Sequence, residues 1–239
     1  MKSSLGFDPR DIPWTSPLGE WPALSQEHLV ADRLKAVFKN PPEWSPEVKR
    51  EPALGQRPAK AAAVLIPIVL RGDQGSEPHI LLTQRTMHLS SHAGQIAFPG
   101  GKVDAEDASV EAAALREAQE EVGLAPQFVE ILGTLPEYIT GTAFHITPVV
   151  GLVSPKHEVT PNAFEVEAVF EVPLAFLMNP ANHRLHAWER DGVSRQWYSM
   201  PYNEPSTLPT QPPTERFIWG ATAGMIRNFY RFLLVANSL

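Results

Sequence analysis

The chain has 239 residues, 43% of them hydrophobic, enough for one large domain or two small ones. Its 27 acidic residues against 20 basic ones set a formal charge of -7, which disfavours a nucleic-acid polymer or an anionic membrane surface as partner. With no cysteine, a disulfide framework and a thiolate metal centre are both excluded.

The polar N-terminal stretch and the lack of a long apolar run point to a cytoplasmic protein. Four prolines without an apolar period mark residues 1 to about 24 as an arm. Ser25 is placed to cap a helix whose apolar stripe is Leu29, Val30, Leu34, Val37 and Phe38. A polar, proline-bearing stretch, 41–60, completes a 1–60 arm with one helix, ahead of a main domain over 61–239.

That domain opens with a buried strand over 61–70, followed by an antiparallel neighbour over 79–85 across a Gly-rich turn. A long loop ends in Phe98-Pro99-Gly100-Gly101, and the spacing predicts a helix from about Ser109 to Val122, stopped by Gly123. Strands are expected at 129–135, 145–153 and 166–172, with a short helix over 173–178. Strands over 184–190 and 194–200 flank the hairpin turn Asp191-Gly192, and a proline-rich loop precedes a last helix, roughly 219–236. The expected fold class is α+β: a mixed β-sheet packed between helices, an α/β/α sandwich.

The chemistry lies in Gly100 to Leu124. On a helix, Glu117, Glu120 and Glu121 fall within about a third of the circumference, while Leu115, Ala118 and Val122 form a separate stripe that can face the core. Two such charges roughly 5 Å apart repel by about 3 kcal/mol at an effective dielectric of 20. A cation offsets that cost, and hard oxygen ligands suit Mg²⁺ or Mn²⁺. Arg116 stands one turn before Glu120 and can orient it. Gly100 and Gly101 let backbone approach a ligand closely, and a carbonyl from that turn could complete the metal's ligand set.

These residues resemble the Nudix hydrolase signature: Gly, five residues, Glu, seven residues, Arg-Glu, an aliphatic, any residue, Glu-Glu, any residue, Gly, aliphatic. Arg116, Glu117, Glu120, Glu121, Gly123 and Leu124 match its second half, with Ala118 in the aliphatic place. In the first half, Gly101 is one residue too far from Arg116, and Ala108 stands where the early Glu belongs; Asp107 or Glu106 can serve instead in a loop longer by one residue. The resemblance implies a divalent metal held by Glu117 and Glu121, with Glu120 as ligand or as partner of the attacking water and Gly100 as a further ligand. It also implies a nucleotide-like small-molecule substrate cut at its pyrophosphate. Homodimer formation is compatible with the sequence.

Leu82-Thr83-Gln84-Arg85, leading through Gly94 into Phe98-Pro99-Gly100-Gly101, resembles the extra motif of the coenzyme A pyrophosphatase branch. Thr86 replaces a small residue of that motif, and Ser90 stands where it has Arg. Glu165-Val166 and the segment 219–223 also resemble that branch, and the likeness covers about residues 60 to 235. Coenzyme A or acyl-CoA is then the expected substrate, giving phosphopantetheine and adenosine 3',5'-bisphosphate. The alternatives are ADP-ribose, a dinucleotide or a modified nucleoside triphosphate, or a non-catalytic sensor. Arg85 is read as a phosphate contact or a structural ion pair, and Glu165 as a carboxylate assisting the water or a solvated residue. His92, Asn162, Thr140 and Gly141 lie in expected loops; Phe217 and Trp219 are read as core.

Overall fold

The computed structural model describes residues 8–17, 21–89, 92–190, 193–206, 208 and 210–238. A two-residue strand, β1 (Trp14–Thr15), and a helix, α1 (Ala31–Lys39), come first. β2 (Lys60–Arg71), β3 (Glu77–Arg85), β4 (Ile96–Ala97) and β5 (Gly100–Lys102) lead into α2 (Val110–Val122). Then come β6 (Val129–Thr134), β7 (Tyr138–Ile139), β8 (Phe144–Val153), β9 (Val166–Pro173) and the one-turn α3 (Leu174–Leu177). β10 (Arg184–Arg190), β11 (Val193–Glu204) and β12 (Thr214–Trp219) precede α4 (Gly220–Asn237).

β2 is the spine of a mixed sheet ordered β4-β3-β2-β8-β6, with β5 also on β2, β7 on β8 and β9 on β3. β2 and β8 run parallel; the other pairs of this sheet are antiparallel. Each of these two central strands carries a proline, which has no N–H to give to a ladder. On its second edge β2 pairs β5 through residues 62–64 and β3 through 68–71, and Pro67 falls between. On β8, Pro148 falls between the pairings with β7 (145–146) and β6 (149–153). Both prolines therefore sit where a neighbouring strand changes.

Alternation along β2 builds two cores. Ala63, Leu65 and Val69 pack against Ala113, Ala114, Ala118 and Val122 of α2, while Val64, Ile66 and Ile68 join Leu34 of α1 and Phe229 and Leu233 of α4. Helices thus cover both faces of the mixed sheet, the expected α+β sandwich. Leu115 is a correction: it is only half-buried, and α2 meets the sheet through Val122 and three alanines, whose small side chains let the helix lie close to the sheet.

Two further expectations change. Ser25 caps no α-helix; its hydroxyl bonds the Glu27 and His28 side chains, and α1 starts only after the extended Val30. The expected hairpin strands, β10 and β11, form the centre of a second, antiparallel sheet, β1-β10-β11-β12, to which β1 and β12 add strands where the sequence reads as arm and proline-rich loop. The Asp191-Gly192 turn lies outside the described residues.

Before residue 60, Leu24, Leu29, Leu34 and Val37 are buried in the larger core, and β1 pairs with β10. Asn228 of α4 holds the backbone of Val48 at both ends, accepting from its N–H at 3.0 Å and donating to its carbonyl at 2.8 Å. No helix among the described residues is long and apolar enough to cross a membrane.

Candidate active site

α2 is held at both ends by local chemistry. The Ser109 hydroxyl accepts the Ala112 N–H at 3.2 Å, an N-cap, and Gly123 closes the helix in the left-handed conformation at φ 71°. Two carbonyls of its last turn are taken by the loop before β9: Thr160 N–H donates to Val122 at 2.7 Å and Asn162 N–H to Glu121 at 2.9 Å. This docking carries Glu165 to the site.

Arg116 is the clamp of the helix. It grips Asp107 with two nitrogens, at 3.0 and 2.9 Å, and its remaining nitrogen reaches Glu117 and Glu120, each at 3.1 Å. The Lys102 carbonyl accepts from the same guanidinium at 3.1 Å. Every nitrogen of Arg116 is thus committed to the protein. The bidentate bond holds the Asp107 carboxyl below the usual range and pushes the Arg116 pKa up. Of the two alternatives for the early acid, Asp107 makes this contact and Glu106 is exposed.

Glu121 is buried. Its Oε2 accepts the Gly100 N–H at 3.1 Å, and its Oε1 lies 3.5 Å from Arg85. Burial is the main cause that pushes its pKa up to about 7; Gly100 and Arg85 pull it down, while the nearby charges of Glu117 and Glu165 raise it further. Burial also raises the Glu117 pKa against the pull of Arg116. Glu120 is largely exposed.

Arg85 ends β3 at a bulge, where Gln84 faces Ala168 but Arg85 faces Val166. Such an extra residue re-aims a side chain, here towards Glu121. Its Nε is buried with no hydrogen-bond partner among the described residues. His92, at φ 57°, bonds the Gln95 side chain; the Thr140 hydroxyl accepts the Phe144 N–H, and the Gly141 N–H donates to Glu51 from the stretch before β2. Phe217 is buried and Trp219 half-buried; Ser90 lies outside the described residues.

The three glutamates do not meet at one point: among the described residues no three acidic or histidine side chains converge as a ready cation site. Arg116 holds Glu117 and Glu120 while Arg85 and Gly100 hold Glu121, so the arginines already supply counter-charge. The donor set still fits a divalent cation. It is all oxygen, it crowds Glu117, Glu121 and Glu165 close enough to raise the Glu121 pKa, and the Glu117 carboxylate fills a cradle that a Cβ on Gly101 would block.

The chain matches the NUDIX domain over residues 59–212. Two curated relatives carry the description uncharacterized Nudix hydrolase NudL, one from Shigella flexneri serotype 5b (strain 8401) and one from Escherichia coli O1:K1 / APEC. Each is 46% identical over 183 residues, 76% of this chain and 85% of its own length. The crystal structure of a Nudix hydrolase from M. Smegmatis, RenU, is matched at 27% identity and a TM-score of 0.41, covering 48% of this chain and 71% of that one.

Proposed function

The chain belongs to the NUDIX domain family and is a Nudix hydrolase, and from that premise we propose that it cuts the pyrophosphate of coenzyme A or an acyl-CoA. The products are phosphopantetheine and adenosine 3',5'-bisphosphate. Hydrolases of this family generally use divalent metal ions; Mg²⁺ or Mn²⁺ is the proposed cofactor here, with Glu117, Glu120, Glu121 and Gly100 as the residues that would hold it. When bound, such an ion neutralises phosphate charge and acidifies water.

The observation that carries the reading is the Arg85 Nε, without a hydrogen-bond partner among the described residues, on a side chain that meets Glu121, which stands one turn after Glu117 on α2. Carboxylates alone would suit any cation site, whereas a half-buried arginine among them, its buried Nε without a partner among the described residues, suits a phosphate oxygen. In the reaction, Arg85 orients the diphosphate, with the glycine turn of Gly100 and Gly101 lining its approach. Arg116 keeps Glu117 and Glu120 in place. Water attacks one phosphorus, the anhydride P–O bond breaks, and each product keeps one phosphate of the diphosphate. The water's proton passes to a carboxylate, with Glu165 and Glu120 the candidates. Leu82 to Gly101 supports coenzyme A over other diphosphates, through its likeness to the coenzyme A pyrophosphatase motif.

The test is kcat/KM for coenzyme A, dephospho-coenzyme A, ADP-ribose and NADH at one Mg²⁺ concentration. Coenzyme A is expected to lead. A clear lead for ADP-ribose or NADH overturns the substrate, and tight binding without cleavage of any of the four would make the protein a sensor.

A further inference from the structure

Phe164 is the most exposed large hydrophobic side chain among the described residues, at 68%, yet its backbone is fixed from both sides. Its N–H donates to the Asn162 side chain at 3.1 Å, and its carbonyl accepts the Thr86 hydroxyl at 3.0 Å. The next carbonyl, that of Glu165, accepts the Thr86 N–H at 2.9 Å. The ring meets the His88 imidazole with centroids 5.0 Å apart and planes tilted by 59°. Met87, beside His88, is also exposed, at 41%.

These side chains do not form a scattered surface. Thr86, which ties Phe164 down, follows Arg85 directly, and Phe164 directly precedes Glu165. The backbone that carries the ring therefore borders both Arg85, the ion-pair partner of Glu121, and Glu165, whose charge is felt at Glu121. Three hydrogen bonds fix the backbone of Phe164 and Glu165 while the ring itself stays in water, so the ring brings no burial to the fold and leaves a π face open.

We infer that Phe164, with His88 beside it, is the shelf on which the purine base of the substrate stacks while Arg85 holds the diphosphate. This rests on the proposed phosphate role of Arg85. An aromatic face flanked by an imidazole suits a planar heterocycle, since base stacking needs a ring surface and little else.

The experiment compares a matched pair of uncleavable probes, α,β-methylene-ADP and methylenediphosphonate, by calorimetry with Mg²⁺ present. Phe164→Ala is expected to weaken the nucleotide by about 10-fold and leave the base-free probe unchanged, while Phe164→Trp keeps nucleotide affinity. Equal nucleotide affinity in wild type and Phe164→Ala overturns the shelf but leaves the phosphate site intact. Phosphopantetheine is titrated as a third probe; if Phe164→Ala weakens it alone, the shelf belongs to the aliphatic arm and the inference fails. If wild type binds neither methylene probe, the phosphate site and the shelf fail together.

Discussion

The Glu117 carboxylate occupies the space that a side chain at Gly101 would need: a Cβ built there would lie 2.5 Å from Glu117 Cδ. The neighbouring glycine faces something different. A Cβ on Gly100 would lie 2.6 Å from Val64 Cα and press on the Ala63 carbonyl. One glycine clears room for the Glu117 carboxylate and the other for the spine of the sheet.

Gly101→Ala and Gly100→Ala should therefore fail in different ways. Glu117 ends in a flexible carboxylate and can swing aside, so Gly101→Ala keeps its melting temperature and loses about 10²-fold in kcat, the scale of a misplaced group. Backbone cannot yield so easily, and Gly100→Ala loses stability by about 1–3 kcal/mol. Thermal melts and hydrolysis rates on the two variants check this; a wild-type rate in Gly101→Ala would refute the role given to Glu117.

Asp107→Asn probes the clamp. Arg116 would lose its strongest partner and hold Glu117 and Glu120 less firmly. Outer partners of this kind are worth about 10–100-fold in activity or metal affinity. The expected loss is in kcat, with KM little changed, and Asp107→Glu should recover part of it. A loss confined to KM would instead give Asp107 or Arg116 a direct part in substrate binding.

Much of this site was legible because its signals are local. Ser109 and Gly123 bracket α2 by cap chemistry, and the i,i+4 spacing of Arg116 and Glu120 foretells their 3.1 Å bond. The Asp107 grip was half legible: a loop one residue longer left two acids open, and only backbone geometry chooses between them. Ser25 misled because its hydroxyl has side-chain partners of its own. β12 was missed because prolines crowd it in sequence, whereas its strand state comes from pairing with β11. The bulge that aims Arg85 at Glu121 needs β9, a partner far along the chain, and no period in the sequence encodes it.

His183 should make the protein acid-sensitive. It is fully buried, its Nδ1 lies 3.1 Å from Arg227, and its pKa is lowered to about 4, chiefly by burial. A depressed histidine pKa means that the unfolded chain binds the proton more readily. The contribution is intact above about 6.5, the unfolded value, and is lost as pH falls towards 4, on the order of 3 kcal/mol in all. Urea midpoints between pH 7 and 4 should drop, and His183→Gln, though weaker at pH 7, should show a shallower slope. An equal slope in both proteins would assign the acid sensitivity elsewhere.

The last prediction joins Glu121 to the metal. In chelator, its carboxyl is raised from 4.5 to about 7, mainly by burial, so folding favours the protonated form. The sign follows: its contribution is whole below about 4.5 and is lost as pH rises through 7. Glu121→Gln removes the charge while keeping an oxygen for the Gly100 N–H. Without metal, the variant should therefore melt above wild type at pH 8, and the gap should close by pH 5. Mg²⁺ or Mn²⁺ should reverse the order. A ligand that binds only the folded state adds about 2.7 kcal/mol at a hundred times its Kd, and wild type should gain this while Glu121→Gln gains little. Hydrolysis by Glu121→Gln, and by Glu117→Gln, should fall by about 10² or more. Melting curves at pH 5 and 8, with chelator and with metal, separate the terms. Equal stabilisation of both proteins by metal would remove Glu121 from the ligand set, and a Glu121→Gln variant less stable than wild type at pH 8 in chelator would show that its buried charge is not the strained group described here.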